Sequence, residues 1–137
     1  MPRKPSVKQE EVDGLEEKLR IVSVDDDADF QSIMREWLVS KYEFTSLNNG
    51  DGLSEELADI EPDLIIMDVR MPGPDGFKLS RQIHKDSRFN MVPILFLTAS
   101  RDDRDFMKNL EVGGTAYLTK PIKRQELLSK ISELLPG

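Results

Sequence analysis

Leu64-Ile65-Ile66-Met67-Asp68, running on into Val69-Arg70-Met71-Pro72-Gly73-Pro74-Asp75-Gly76, is the stretch on which the reading of the chain turns. An apolar run that stops on a carboxylate and enters a Pro/Gly-rich loop predicts a fully buried strand with an acid at its carboxyl tip. Taken alone, Asp68 reads as a residue that merely ends the strand. The other strand ends change that. Leu19 to Val24 is a similar run and stops at Asp25, Asp26 and Asp27. Ile94 to Leu97, opened by Pro93, stops at Thr98, Ala99 and Ser100, and Ala116 to Thr119 stops at Lys120-Pro121.

Between these runs the apolar period changes from strand to helix. Phe30, Ile33, Met34, Trp37 and Leu38 form the stripe of a helix packed on a sheet, with Asp29 near its positive amino end. Tyr42 to Leu47 predicts the second strand, closed by Asn49-Gly50, and Leu53, Leu57 and Ile60 mark a short second helix. Asp75 is placed to cap a third helix carrying Phe77, Leu79 and Ile83; His84, the single histidine, lies on it and reads as a solvated surface residue. Asp102 and Asp103 open a fourth helix with Phe106, Met107 and Leu110, which Gly113-Gly114 ends. Leu127, Leu128, Ile131, Leu134 and Leu135 make the last. Five strands alternating with five helices predict an open parallel α/β sheet covered on both faces, in which ligands bind beyond the carboxyl ends of the strands.

The length of 137 residues suits one domain with a real core. Residues 1–18 are polar and are expected to form a mobile tail; residues 19–137 are expected to form the domain. A net charge of -7 lacks the basic footprint of a nucleic-acid binder, so direct contact with nucleic acid is not expected. The absence of cysteine excludes disulfides and thiolate metal sites. No apolar run approaches the roughly 20 residues that span a bilayer, and the start MPRKPSVKQEEVDG has no signal core, so no membrane association and a cytoplasmic location are expected.

Carboxylates that converge on one spot repel, by about 4 kcal/mol per pair at 4 Å for an effective dielectric near 20. A hard divalent cation relieves that repulsion, and Mg²⁺ favours one or two carboxylates with a carbonyl, waters and a phosphate oxygen. Lys120 and Thr98 bring an ammonium and a hydroxyl to the same edge, both suited to phosphate oxygens. With no cysteine or activated serine, the nucleophile of such a site is a carboxylate, and an aspartyl phosphate is a known product.

The chain resembles the receiver domain of two-component response regulators over about residues 19–135. VDDDADF resembles the family's acidic pair, IIMDVRMPGPDG its phosphoacceptor strand and loop, ILFLTAS and AYLTKP its threonine and lysine motifs. Each is short, but their joint order is specific. The resemblance implies a flavodoxin-like fold with strand order 2-1-3-4-5 and a cis Lys120-Pro121 peptide. It implies that Asp68 accepts a phosphoryl group from a sensor histidine kinase or phosphotransfer protein. Asp26 would bind Mg²⁺ directly, Asp25 chiefly through water, and the Arg70 carbonyl would complete the protein ligands with Asp68. Thr98 and the Ala99 backbone N–H would hold phosphate oxygens, Lys120 would pair with the phosphate, and Thr98 and Tyr117 would form the switch. The implied protein is not an enzyme in the ordinary sense, but a phosphoacceptor with Mg²⁺-dependent chemistry on itself. Its implied partners include a downstream protein target or an output domain absent from this chain, and a phosphorylation-dependent second copy.

Thr115-Ala116 stands where winged-helix regulators of the family usually carry Asp-Asp, and Ile122 where they carry phenylalanine, which puts their mode of dimerisation in doubt. Three rival readings stand beside this one. Asp25 and Asp27 satisfy the Asp-x-Asp of haloacid dehalogenase phosphatases, but Asp29 stands where Thr or Val is expected. A phosphorylation-independent docking module would have no need of the set Asp26, Asp68, Thr98 and Lys120. An FMN binder of the same fold is disfavoured by the sign of a triple aspartate.

Overall fold

The computed structural model describes residues 17–100, 102–103 and 115–135. Five strands, β1 (Arg20–Val24), β2 (Glu43–Leu47), β3 (Leu64–Asp68), β4 (Ile94–Thr98) and β5 (Thr115–Thr119), pair in parallel in the order β2-β1-β3-β4-β5. Four helices lie among the described residues: α1 (Ala28–Leu38), α2 (Leu53–Ile60), α3 (Gly76–Lys85) and α4 (Arg124–Leu134). The helix expected after Ser100 falls outside the described residues except for Asp102 and Asp103, as does the polar tail except for Glu17 and Lys18.

Alternation along the strands divides the core in two, as a sheet covered on both faces requires. Ile21, Leu64, Ile66, Leu95, Leu97 and Leu118 pack with Met34 and Leu38 of α1 and Leu127 and Ile131 of α4. Val22, Val24, Ile65, Met67, Ile94 and Phe96 point the other way, onto Leu53 and Leu57 of α2 and Phe77, Leu79 and Ile83 of α3. Trp37 is part of the first cluster, as its helical spacing predicts, and meets Phe30 edge-on at 6.4 Å.

The register of the central strands brings the ends of interest together. Val24 lies opposite Met67 in the β1–β3 pair and Asp68 opposite Leu97 in the β3–β4 pair, so Asp25, Asp68 and Thr98 emerge at one edge. Asp27 caps α1 by accepting from the Phe30 N–H, and Asp75 caps α3 by accepting from the Lys78 N–H. The Lys120-Pro121 peptide is cis. His84 departs from the sequence expectation: it is half-buried, and its Nε2 lies 3.0 Å from the Val92 carbonyl oxygen, so it ties α3 to the loop before β4. A carbonyl only accepts, so the ring donates there.

Candidate functional site

Asp25 is fully buried and Asp68 is 4% exposed. Asp25 follows β1 directly, and its backbone N–H is held by the Leu47 carbonyl of β2. Beneath it the buried Gln31 amide nitrogen lies 3.1 Å from the carbonyl oxygens of Ser23, Asp25 and Leu47, stitching α1 to the ends of β1 and β2. Oδ1 of Asp25 accepts from the Asp27 N–H at 2.9 Å, which leaves Oδ2 facing the pocket.

Gly76 fixes the loop that follows Asp68. Its N–H donates to the Val69 carbonyl, and a Cβ there would run into the Asp68 carbonyl oxygen and stand 2.9 Å from both Met67 Cγ and Val69 Cα. Only glycine lets α3 begin this close to the tip of β3.

The Lys120 ammonium reaches in from the end of β5, 3.2 Å from Asp25 Oδ2 and 3.4 Å from Asp68 Oδ1, and stands 5.3 Å from the centre of the Phe30 ring. One cation thus serves two buried acids. Asp26 is exposed, but one of its carboxylate oxygens lies with those of Asp25 and Asp68 in a group within 4.8 Å of one another. Burial, and next the charge of Asp25, push the Asp68 carboxyl up to about 6 against the opposing pull of Lys120 and the Arg70 N–H. Burial alone would depress Lys120, but the charges of Asp25 and Asp68 outweigh it and raise its pKa. The pocket carries more negative charge than its own lysine neutralises.

Thr98 is fully buried, and its hydroxyl does not turn to this lysine. It donates to Asp103 Oδ2 at 3.0 Å while accepting from the Ser100 N–H at 3.0 Å. Asp103, 7% exposed, accepts two parallel bonds from the Arg70 guanidinium, Nε to Oδ2 at 2.6 Å and Nη2 to Oδ1 at 2.7 Å. Arg70 therefore points neither into the acid pocket nor freely to water. Ala99 is exposed, and Tyr117 is half-buried beside the cluster that contains Phe96.

The sequence reading missed Asp103 and Gln31. Asp103 is visible in the sequence only as one of two acids opening a helix, and no local signal sets it apart from Asp102. Gln31 is one of two polar residues between Phe30 and Ile33, and unlike the exposed Ser32 it is buried, where its amide nitrogen finds backbone carbonyls.

A doubly wound sheet of flavodoxin type that gathers three aspartates, a threonine and a lysine around its carboxyl edge is the class of protein so defined. Residues 21–132 match the response regulator receiver domain family, and the chain belongs to it, as a receiver domain of two-component response regulators. It is 37% identical over 116 residues to the transcriptional regulatory protein GltR of Pseudomonas aeruginosa, covering 84% of this chain and 48% of that protein. Protein PilH of the same organism is 34% identical over 90 residues, 66% of this chain and 74% of PilH. Among solved structures, the chemotaxis protein CheY4 of Vibrio cholerae superposes with a TM-score of 0.78 at 26% identity, over 87% of this chain and all of CheY4. The chain spans about half the length of curated relatives such as GltR, at 48%, and PhoB, at 51%. These likenesses support the receiver reading and not the phosphatase one. No helix among the described residues is long and apolar enough to cross a membrane.

Proposed function

We propose that Asp68 is the phosphoacceptor of this receiver domain. The observation that carries the reading is a nearly buried carboxylate at a strand tip, within 3.4 Å of an ammonium and grouped with two further aspartates. In the transfer, a carboxylate oxygen of Asp68 forms a bond to phosphorus as the bond from phosphorus to a histidine nitrogen of the donor breaks. Phosphoryl transfer calls for positioning and charge stabilisation, and Lys120 supplies one fixed positive charge. The donor is a sensor histidine kinase or a phosphotransfer protein.

The three aspartates suit a hard cation by donor type, and the raised pKa of Asp68 marks the charge that a cation would relieve. Asp25, Asp26, Asp68 and the Arg70 carbonyl would hold Mg²⁺, which when bound draws phosphoryl oxygens toward the carboxylates. Thr98 and the Ala99 N–H take the remaining phosphoryl oxygens. Thr98 and Tyr117 then report phosphorylation to the face formed by the helix expected after Ser100, β5 and α4, where a downstream protein, an output domain or a second copy reads it. Residues 19–137 form the receiver unit, residues 1–18 a tail, and the domain works in the cytoplasm.

The test is to incubate the protein with Mg²⁺ and a small acyl phosphate and weigh it intact. One added phosphoryl group, absent in Asp68→Asn, is the expected result; label persisting in Asp68→Asn sinks the assignment. NMR shifts on phosphorylation should reach β5 and α4. Changes confined to the acid pocket would contradict the proposed output face.

A further inference from the structure

We propose that Asp103 is a positioning residue that withholds the Thr98 hydroxyl and the Arg70 guanidinium from the phosphoryl site until Asp68 is phosphorylated. The inference rests on the reading of Asp68 as acceptor. It comes from one shared carboxylate: Oδ2 of Asp103 accepts from both the Thr98 hydroxyl at 3.0 Å and Arg70 Nε at 2.6 Å, and Oδ1 accepts from Arg70 Nη2 at 2.7 Å.

The two donors come from residues placed around the acceptor, since Arg70 lies two residues after Asp68 and Thr98 ends the strand beside β3. A hydroxyl has one proton to give, and while Asp103 accepts it, no phosphoryl oxygen can. A guanidinium held in a fork-to-fork pair is likewise committed, and the pairing with Asp103 raises the Arg70 pKa further. The backbone completes the arrangement. The Ser100 N–H donates to Thr98 Oγ1 and the Asp103 N–H donates to Ser100 Oγ at 3.3 Å, so the turn that carries Asp103 also sets the direction of the Thr98 hydroxyl.

A phosphoryl group on Asp68 is a doubly charged acceptor that competes with Asp103 for both donors. The Arg70 side chain is 66% exposed, so it has room to swing away once its pair with Asp103 breaks, whereas the Asp103 side chain is 9% exposed. The clamp therefore opens by movement of the arginine and rotation of the threonine hydroxyl, with Asp103 staying in place. Asp103 is thus a rival ligand whose charge sets how much free energy phosphorylation must spend to recruit Thr98 and Arg70.

The test uses the full chain with beryllofluoride as a phosphoryl mimic and Mg²⁺ alone as a control, each titrated by Trp37 fluorescence or NMR. Asp103→Asn keeps the shape of the side chain and removes the rival charge. It should bind beryllofluoride roughly tenfold more tightly with an unchanged Mg²⁺ midpoint, since a hydrogen bond to a charged group is worth about that factor. Asp103→Glu, which restores the charge, should return the affinity toward that of the parent. Arg70→Met leaves Thr98 held by Asp103 and removes the recruited cation, so it should bind the mimic several-fold more weakly. Equal or weaker binding of the mimic by Asp103→Asn overturns the proposal, as does tightening that Asp103→Glu leaves in place. If Asp103→Asn does not fold, unchanged binding by Arg70→Met overturns it on its own. A parent protein that takes up neither beryllofluoride nor phosphoryl refutes the acceptor reading itself, whereas a parent that takes up both, with an indifferent Asp103→Asn, refutes only the clamp.

Discussion

Two charged clusters lie at the carboxyl edge of the same sheet, and they are inverses of each other. In one, a single cation, Lys120, is shared by two buried acids, Asp25 and Asp68. In the other, a single acid, Asp103, is shared by a cation and a hydroxyl, Arg70 and Thr98. The second is satisfied: Oδ1 and Oδ2 both accept bonds in good geometry. The first is not, and the strain shows in an Asp68 carboxyl raised to about 6 by burial and by its acidic neighbour. Unsatisfied charge in a concave, nearly dry place invites a ligand, whereas satisfied charge holds a conformation.

Removing the shared ion of the strained cluster should have the largest effect. Lys120→Met leaves Asp25 and Asp68 facing each other without a partner, and losing one member of a buried pair costs about 3 kcal/mol or more. Asp68 should respond by holding its proton to a pH above 6, which limits the loss in mild acid. Chemical denaturation at pH 5 and pH 8 checks both parts. A loss that is the same at the two pH values would break the contrast between the clusters.

Somewhat smaller, and opposite in sign, is the effect of Asp68→Asn. The folded carboxyl titrates at about 6 against an ordinary value of 3.8, so the native state binds the extra proton between these values. Stability is then fully present below pH 3.8 and is lost as pH rises through 6. The accumulated loss is about 2–3 kcal/mol at neutral pH in metal-free buffer. Asp68→Asn should abolish that slope and be more stable than the parent above pH 6 by about the same amount. A parent whose stability rises between pH 4 and pH 6 more steeply than that of Asp68→Asn would show that Lys120 over-compensates the pocket.

Mg²⁺ should offset part of the same deficit. At a concentration tenfold above its dissociation constant it adds about 1.4 kcal/mol to the native state. The rise in Tm should vanish in Asp26→Ala, because the exposed Asp26 completes the group of three carboxylates without joining the Lys120 pair. An equal shift in the variant would remove Asp26 from the metal site.

How much of this contrast could be read in the sequence follows from how each cluster is wired. The strained one was legible because each member ends a buried apolar run: Asp25 after Val24, Asp68 after Met67, Lys120 after Thr119. Parallel strands with helical crossovers align such ends, so topology alone makes them converge. The fold was legible for the same reason, since unbroken apolar runs such as Leu64 to Met67, alternating with helical stripes, mark strands buried on both faces. The satisfied cluster was not legible. Arg70 and Asp103 are 33 residues apart, and nothing local distinguishes Asp103 from its neighbour Asp102, which is exposed. Which of two adjacent acids turns inward is decided by the turn after β4, where the Asp103 N–H meets Ser100 Oγ. His84 escaped for a similar reason, since its partner, the Val92 carbonyl, belongs to a loop whose path the sequence does not specify.

The smallest expected effect sharpens the comparison most, because it asks whether the two clusters are independent. Ser100→Ala removes the acceptor of a single neutral bond, 3.3 Å long, and leaves the Ser100 N–H free to keep donating to Thr98 Oγ1. A bond of that kind contributes about 0.5–1 kcal/mol, and a partly buried N–H at the start of a helix finds water more easily than one in the core. The expected loss is therefore at or below 1 kcal/mol, read by denaturation. The pH slope between 4 and 6 should stay that of the parent, because neither Asp68 nor Lys120 touches Ser100 among the bonds that hold them. The Mg²⁺ midpoint should stay as well, since the three carboxylates that define the metal site lie in the other cluster. A Ser100→Ala protein whose Mg²⁺ midpoint moves with its stability would mean that the turn carrying Asp103 and the acid pocket form one electrostatic unit, and the division into a strained half and a satisfied half would have to be given up.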